Sequence, residues 1–455
     1  MKTVYLFILY FFVFGVCSCK KFVEIQPAPN LINSDIVFTK DNTATSAVTS
    51  IYVQMRASTT FFTNYGMSVF PALSADEIYN TASSASYDPF LNNNLVSTNS
   101  SVSLNFWTQS YKNIYTANAI IEGLNKSTGL TDSVKKQLNG EALFIRSFYY
   151  FYLLNLFGDV PLITTTDYQV NALMPRTERI KVYDQVIKDL LQAQGLVSER
   201  YVSAGKSRPN KYTVNALLAR VYLFSGEWAK AEELSTTIIN GGYNLLTNLS
   251  NVFLINSNET IWELASPNEA SNTAQGGLYI PSSTTVKPAF AIIPDFLNSF
   301  EVGDQRKTSW LKSNVVNNVV YYYPYKYKMR TATPVTEYNV VFRLSEQYLI
   351  RAEARAQQDN LNGAKADINT IRQRASLSAT TANSKDALLN AIDQERRVEL
   401  FTEWGDRWLN LKRRDKANSV LSVAKGTNWQ NTDVLYPIPY NELLYNPNLT
   451  QNPGY

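Results

Sequence analysis

The chain has 455 residues, of which 45% are hydrophobic, which is the composition of a globular protein with a large core. Its formal net charge of +4 is small, and no basic run with interleaved aromatic residues indicates nucleic-acid binding. Histidine is absent, which excludes His-containing catalytic triads and HExxH zinc sites. No glycine-rich nucleotide motif opens a helix, so we expect no cofactor and no metal. Carboxylate-only chemistry, such as glycoside hydrolysis, stays compatible with this composition.

The first 18 residues are predicted to be an export signal. A positively charged start precedes an apolar run at residues 4–16, which has the length of a signal-peptide core and is shorter than a membrane-spanning helix. The two cysteines of the chain, Cys17 and Cys19, follow directly, and a disulfide across one residue would be strained. The sequence VCSC at 16–19 resembles a bacterial lipobox, which predicts acylation of Cys19 and a lipid anchor. The alternative is an ordinary signal peptide that is cleaved nearby without lipidation.

Helical patterns dominate the body of the chain. Residues 104–124 repeat bulky apolar side chains at helical spacing, which predicts an amphipathic helix. Residues 141–157 are apolar almost all round, which predicts a helix that is buried on all sides. Gly158, with Pro161 just beyond it, is a predicted helix stop.

Two segments, residues 211–240 and 346–373, have the pattern of helical hairpins. Each contains two alanines twelve residues apart, which is the tetratricopeptide spacing of a small residue on each helix where the two cross. Because at least three repeats are usually needed for a stable array, residues 107–157 are a candidate for a further, degenerate pair. The alanines are Ala219 and Ala231 in the first hairpin and Ala352 and Ala364 in the second.

Two long segments lack helical periodicity. Residues 57–103 are rich in Ser, Thr and Asn, and residues 265–340 contain several turn formers. Long irregular segments inside a compact protein are uncommon and often functional. We expect both to form loops or short strands over one face of a helical body. The proline-containing tail at 435–455 is predicted to be extended or turning and to pack along that body.

Charged residues concentrate between positions 395 and 407, which is compatible with an active site or with a structural ion network. The spacings of Arg396 with Glu399 and of Glu403 with Arg407 fit ion pairs one turn apart on a helix. We interpret this cluster as a structural network.

Seven blocks of the sequence, taken in order from residue 19 to residue 455, resemble the SusD/RagB family of outer-membrane lipoproteins. No single block identifies the family, but the occurrence of all seven in the same order makes the resemblance specific. The blocks are CKKFVEIQPAPNLI, EALFIRSFYYFYLLNLFGDVPLI, VYDQVIKDLLQA, RPNKYTVNALLARVYLFSGEWAKAEELS, RLSEQYLIRAEARAQQDNLNGAKADINTIRQRASL, ERRVELFTEWGDRWLNLKRRDK and LYPIPYNELLYNPNLTQNPGY.

The resemblance implies an all-α fold of tetratricopeptide-like helical pairs with an irregular, loop-rich lobe above them. After the signal peptide at 1–18, we expect an N-terminal region at 19–240 and a C-terminal region at 241–455 in one compact body. The resemblance also implies a lipid-anchored protein of the outer membrane that faces the exterior, captures glycans without cleaving them, and passes them to a SusC-type TonB-dependent transporter. The helical repeats would lie against that transporter, and the irregular lobe would close over its mouth.

Three other functions stay open. One branch of the family binds peptides, an all-α glycoside hydrolase would use a pair of carboxyls, and a scaffold would bind a protein partner alone. A hydrolase needs two carboxyls about 5–9.5 Å apart across a cleft. The doublet Asp76-Glu77 lies in a predicted loop beside aromatic residues, but adjacent side chains tend to diverge.

Aromatic side chains of the two irregular segments are the candidates for contact with a sugar. A flat ring covers the apolar face of a sugar, and burying roughly 70 Å² of that face contributes on the order of 2 kcal/mol. Ligand residues vary between members of the family, so none is carried over from the resemblance. The candidates are Tyr79, Tyr87, Tyr279, Trp310 and Tyr322, with Asp76, Asn92 and Arg306 as hydrogen-bonding partners.

Overall fold

The structure, a computed structural model, describes residues 34–58, 60–266, 271–331 and 333–455. The predicted export signal and the predicted lipidation site, Cys19, lie outside these residues. The protein is mostly helical, which confirms the predicted all-α class. Within the described ranges, no helix combines the length and the hydropathy that a membrane span requires.

One long, buried helix, α6, is the centre of the N-terminal half. The helices of this half are α1 (Ser34–Val37), α2 (Asp41–Met55), α3 (Met67–Ser74), α4 (Asp88–Leu91), α5 (Gln109–Lys126), α6 (Asp132–Phe157), α7 (Tyr168–Asn171), α8 (Arg179–Leu196), α9 (Lys211–Ser225) and α10 (Trp228–Ile239). Every residue of α6 from Gly140 to Phe157 is buried, as its apolar sequence predicts. The helix ends at Gly158, whose φ of 76° is in the range that favours glycine.

Paired helices continue through the C-terminal half. They are α11 (Ala274–Tyr279), α12 (Pro294–Leu297), α13 (Gln305–Trp310), α14 (Leu344–Gln357), α15 (Leu361–Arg374), α16 (Lys385–Glu399), α17 (Asp406–Arg413), α18 (Ala417–Lys425) and α19 (Tyr440–Tyr445). The pairs α9–α10 and α14–α15 are the two predicted hairpins, and their four spaced alanines have no exposed surface. Helix α10 packs against α14, so the hairpins are neighbours in one stack, and α5, α6 and α8 extend it on the N-terminal side.

Four two-stranded antiparallel sheets accompany the helices in the described part of the chain. Their pairings are β1 with β5, β2 with β3, β4 with β8, and β6 with β7. The strands are β1 (Ile78–Asn80), β2 (Val160–Pro161), β3 (Arg176–Thr177), β4 (Thr260–Leu264), β5 (Phe290–Ile292), β6 (Leu311–Val316), β7 (Val319–Pro324) and β8 (Asn339–Arg343). The pair β1–β5 joins the two segments that were predicted to be irregular.

The prediction that residues 57–103 form loops or short strands at the surface is wrong for part of this segment. Helix α3 lies within it, and every residue of α3 is buried. Its sequence, MSVFPALS, is a short apolar run, and periodicity does not distinguish a short buried helix from a buried strand.

One hydrophobic cluster extends from Ala44 to Ile438 and includes side chains of both predicted regions, 19–240 and 241–455. Smaller clusters lie between α14, α15 and α16. The two halves therefore share a core, while the boundary at residue 240 stays a prediction.

Candidate ligand-binding face

The two irregular segments meet where β1 pairs with β5. Tyr79 lies opposite Ala291, and Ile78 lies opposite Ile292. Because successive side chains of a strand point to opposite faces, Ile78 is buried while Tyr79 is partly exposed. Strand β5 also packs against β7, which places the β6–β7 hairpin beside Tyr79.

Tyr79 and Tyr321 are neighbours on a partly exposed surface of this lobe. Burial, together with the nearby Tyr321 hydroxyl, raises the pKa of Tyr79. The exposed ammonium group of Lys287 lies 5.3 Å from the centre of the Tyr321 ring, which is a cation–π distance. We name Tyr79, Tyr321 and Lys287 the tyrosine face.

The tyrosine face has a fixed base. Asn314 lies opposite Tyr321 in the hairpin and is buried. Its amide nitrogen donates to the carbonyl oxygens of Ser283 and Val286 at 2.8 and 2.7 Å. These bonds tie the loop that carries Lys287 to the strand pair that carries Tyr321.

Three other candidates, Tyr87, Tyr322 and Asn92, are partly exposed in the same lobe. The Tyr87 hydroxyl lies 3.2 Å from that of Tyr65, and its ring packs edge-on against Phe290 at 4.8 Å. Tyr322 packs against the core cluster and, as the next residue along the strand, points away from the face of Tyr321. Of the five candidate aromatics, Tyr79 therefore belongs to the tyrosine face, Tyr87 packs against Phe290 of the adjoining strand β5, and Tyr322 lies on the other side of β7.

The expectation that Tyr279 and Trp310 are exposed is wrong. Tyr279 is 4% exposed, and its hydroxyl donates to the Ser68 carbonyl oxygen at 3.1 Å. Trp310 has no exposed surface, and its indole nitrogen donates to the Leu249 carbonyl oxygen at 3.0 Å. The Lys326 ammonium lies 4.9 Å from the Trp310 ring, so this ring packs on buried charge instead of facing solvent.

The same correction applies to Arg306, which has no exposed surface. Its guanidinium donates to both carboxylate oxygens of Asp304, at 2.9 and 2.8 Å, and also to Glu395 and Glu399. Four N–H groups of the guanidinium therefore donate to carboxylates of the protein itself, and Arg306 does not serve as a surface donor for a ligand.

Asp76, the remaining polar candidate, is 4% exposed. It accepts two hydrogen bonds of 2.7 Å from Arg407 and one of 2.7 Å from Arg397. Burial alone would raise the pKa of Asp76, but the two guanidinium groups hold it below its usual value. The expectation of an exposed hydrogen-bonding group is therefore wrong for Asp76.

Glu77, the second member of the doublet, is also enclosed. It is 1% exposed, and burial together with the Asp76 charge raises the pKa of its carboxyl to about 8. The backbone N–H of Thr402 donates to one of its oxygens at 3.3 Å. Neither member of the doublet faces an open cleft, which a glycoside hydrolase would require of its carboxyl pair.

The charged cluster at 395–407 forms the predicted ion network, but its predicted pairs are wrong. Glu399 contacts Arg306, Arg343 and Arg374, which hold the pKa of this buried carboxyl well below its usual value. Arg396 instead contacts Asp406. Helix α17 begins at Asp406, so Glu403 does not share a helix with Arg407. Arg396 and Glu399 do share α16, but Glu399 pairs with arginines of other elements instead. In the described ranges, no group of three carboxylates has the arrangement of a metal site.

Sequence reasoning missed Tyr321 and Lys287. The signal was present in the aromatic run at 321–327, YYYPYKY, since alternate positions of a strand share a face and adjacent ones do not. Only the pairing of distant strands shows which of the tyrosines adjoins Tyr79.

Two family models match the sequence. Residues 32–223 match a SusD-like family described as "Starch-binding associating with outer membrane", and residues 298–455 match the SusD family. The chain is 26% identical to "SusD-like protein P2" of Formosa agariphila, over 77% of this chain and 80% of that protein. It is 23% identical to the "Starch-binding protein SusD" of Bacteroides thetaiotaomicron, over 73% of this chain and 75% of that protein.

Solved structures have the same fold. A "Laminarin binding SusD-like protein" superposes with a TM-score of 0.77 at 22% identity, over 92% of this chain and all of that one. A SusD superfamily protein of Bacteroides vulgatus superposes with a TM-score of 0.80 at 21% identity, over 91% and 99% of the two chains. Because the two family models together match more than half of the sequence, in order, the chain belongs to the SusD/RagB family.

Proposed function

We propose that the protein is a non-catalytic, lipid-anchored protein of the outer membrane that binds an oligosaccharide on the tyrosine face and passes it to a SusC-type TonB-dependent transporter. The main support for this binding site is the junction of β1, β5 and the β6–β7 hairpin, where Tyr79 lies near Tyr321. Family membership supports carbohydrate binding and the outer-membrane location. The lipid anchor at Cys19 and the transporter rest on the resemblance.

The chemistry of the face suits a sugar. Two tyrosine rings offer apolar surfaces, while their hydroxyls and the Lys287 ammonium offer hydrogen bonds to ring substituents. Stacking contributes on the order of 2 kcal/mol per ring by area, and association itself is costly, so the affinity is modest. Modest affinity suits a protein that must release its ligand to a transporter.

One neighbouring residue extends the site. Tyr87, Tyr322 and Asn92 are partly exposed in the same lobe. Tyr87, whose ring packs against Phe290 of β5, is proposed as a secondary contact. The strands beneath them are held by core packing, so the face keeps its shape when empty. Preorganisation lowers the entropic cost of binding and compensates for the small contact area.

The test is a double substitution, Tyr79→Ala with Tyr321→Ala, and calorimetric titration against a panel of oligosaccharides and peptides. We expect affinity for the preferred oligosaccharide to fall about tenfold or more, since each lost stack is worth on the order of 1–2 kcal/mol. Tyr168→Ala is the matched control, because Tyr168 is 75% exposed and lies in α7, away from the lobe.

Three outcomes contradict the proposal. Unchanged affinity in the double variant would place the site elsewhere. Binding of peptides in preference to every oligosaccharide would favour the peptide-binding branch. Release of shorter sugars by the unmodified protein during the titration would favour a hydrolase.

A further inference from the structure

A groove with a volume of about 540 Å³ lies between α5, residues 161–172 and the tail at 435–455. This volume is within the size range of ligand sites. No residue of the tyrosine face lines the groove, so it is a separate surface. We name it the tail groove, and its lining side chains include Trp107, Tyr111, Lys112, Glu442, Tyr445 and Asn446.

The walls of the tail groove are held by internal hydrogen bonds. The Tyr111 hydroxyl donates to the Pro161 carbonyl oxygen at 2.9 Å, which fixes α5 against the strand β2. On the tail side, the buried amide nitrogen of Asn446 donates to the Met174 carbonyl oxygen at 2.8 Å. Because its walls are fixed before a ligand arrives, the groove loses little entropy on binding.

Three aromatic rings line the tail groove. The ring centres of Trp107 and Tyr111 are 5.0 Å apart and their planes are inclined by 47°, so the two form one wall. Trp107 is only 3% exposed, whereas Tyr445, at the end of α19, is 79% exposed. An exposed ring beside an aromatic wall offers a flat apolar surface to a ligand.

The groove also has one acidic and one basic side chain, Glu442 and Lys112. The ion pairs of the described residues include neither of them. The Trp107 side chain hydrogen-bonds to the Glu442 carboxyl, whose pKa is raised by burial and is lowered to a smaller extent by this bond. A carboxylate with two oxygens accepts several hydrogen bonds, so Glu442 keeps acceptor positions for a ligand, and the exposed Lys112 ammonium supplies donors.

Another groove, of about 580 Å³, lies further along α5 beside Tyr115 and lacks this capacity. Its carboxylate, Glu122, accepts hydrogen bonds from the Thr165 hydroxyl at 3.1 Å and from the N–H and hydroxyl of Thr166 at 2.9 and 2.5 Å. The acceptor of that groove is therefore occupied by the protein itself, which leaves the tail groove as the stronger candidate for a ligand site.

The side chains of the tail groove indicate the chemical class of its ligand. One carboxylate and one ammonium cancel, so the groove has no net formal charge that would favour an anion or a cation. A purely apolar ligand would cover both charges without hydrogen-bonding to them, which is costly. A neutral molecule with an apolar face and a rim of hydroxyls uses the rings, the carboxylate and the ammonium together.

We propose that the tail groove is a second saccharide-binding site, in which Tyr445 stacks on a neutral sugar ring while Glu442 and Lys112 hydrogen-bond to its hydroxyls. The inference goes beyond the proposed function, which assigns the tyrosine face alone, and it does not require that face to bind. With two sites on one body, the protein holds two short oligosaccharides at once.

The experiment uses the full chain with meta-fluorotyrosine in place of tyrosine and records its fluorine NMR spectrum. The resonances of Tyr111 and Tyr445 are assigned by their loss in Tyr111→Phe and in Tyr445→Phe. Neutral trisaccharides of glucose, mannose, galactose and xylose are titrated, and uncharged tripeptides are titrated in parallel. We expect at least one trisaccharide to shift both resonances saturably. Tyr445→Ala should raise the dissociation constant read at Tyr111 about tenfold, since it removes the stacking surface.

Two control variants separate this site from other surfaces. Tyr440 lies at the start of the same helix, α19, and is 47% exposed, but it does not line the groove. Tyr440→Ala should leave the dissociation constant read at Tyr111 unchanged. Tyr79→Ala with Tyr321→Ala should also leave it unchanged, so failure of the tyrosine face and failure of the tail groove give different results. Circular dichroism checks that each variant is folded.

Three outcomes would overturn the inference. In the first, no trisaccharide shifts the Tyr111 and Tyr445 resonances saturably. In the second, the shifts vanish in the variant with Tyr79→Ala and Tyr321→Ala, which would show that the tail groove only responds to binding at the tyrosine face. In the third, tripeptides alone shift the two resonances, which would assign the groove to a peptide.

Discussion

Arg407 donates two hydrogen bonds of 2.7 Å to Asp76, a residue 331 positions earlier in the chain. Arg407 is 9% exposed and Asp76 is 4% exposed, so the pair is shielded from water. Arg397 donates a third bond of 2.7 Å to the same carboxylate. This contact joins α16 and α17 to the turn before β1, and through β1 it supports the tyrosine face.

The first prediction concerns this contact. Asp76→Ala leaves the buried guanidinium of Arg407 and the partly buried one of Arg397 without their acceptor, which should lower the free energy of unfolding by about 3–5 kcal/mol. Urea denaturation followed by circular dichroism measures the change. Glu178→Ala is the control, because Glu178 pairs with Lys181 at 3.3 Å on the surface, with side chains 66% and 64% exposed. An equal effect of the two substitutions would contradict the structural role of Asp76.

The second prediction concerns Glu77 and pH. The folded protein holds the proton of this carboxyl up to about pH 8, whereas the unfolded chain releases it near 4.5. Between these values the native state binds more protons, so the stabilisation from Glu77 is full below about pH 4.5 and is lost as pH rises to about 8. Glu77→Gln keeps an acceptor for the Thr402 N–H and has no ionisable group.

The measurement is the unfolding free energy of both proteins at a series of pH values. We expect the difference, Glu77→Gln minus parent, to increase with pH across that window. The control is Glu178→Gln, at an exposed position, whose unfolding free energy should follow the same pH dependence as that of the parent. A constant difference for Glu77→Gln would mean that the carboxyl is ionised throughout.

A pair of glycines gives the third prediction. In α6, an added Cβ at Gly140 would lie 2.6 Å from Val197 and 3.3 Å from the Ala193 carbonyl oxygen, so Gly140→Ala should force α6 and α8 apart and destabilise by about 1–3 kcal/mol. In α8, an added Cβ at Gly195 meets nothing within 4 Å, so Gly195→Ala should stabilise by up to about 1 kcal/mol. Thermal melting of both variants checks the opposite signs, and a shared sign would refute the packing of α6 on α8.

The fourth prediction concerns the anchor. Cys19→Ala should release the protein from the membrane fraction, and Cys17→Ala should not, because the resemblance of residues 16–19 to a lipobox predicts acylation at Cys19. Cell fractionation and metabolic labelling with a fatty acid measure both. Loss of label in Cys17→Ala alone would move the cleavage site.

The helical stack was predictable because its signals are local. Apolar periodicity and alanines twelve residues apart are contained within single hairpins, and α9–α10 and α14–α15 lie where these signals indicated. Helix α3 was missed because a mostly apolar helix of eight residues has too few turns to show a period.

The candidate site was less predictable because its members depend on distant partners. Trp310 and Tyr321 lie in the same segment, yet one packs on Lys326 and the other beside Tyr79. Arg306 can be buried because it has acceptors on α16, which are 89 and 93 residues later in the chain. Aromatic composition indicates that a face exists, and strand pairing decides which rings form it.

The pairing of Ile78 with Ile292 also sets the order of events as the chain folds. These partners are more than two hundred residues apart, and closing so long a loop precedes any gain from the contact. Domains emerge from synthesis with the N-terminus first, so Tyr79 is present long before the hairpin that carries Tyr321. A partly synthesised or truncated chain therefore lacks the tyrosine face, and the proposed ligand site is complete only after the β6–β7 hairpin has been made and has packed on β5.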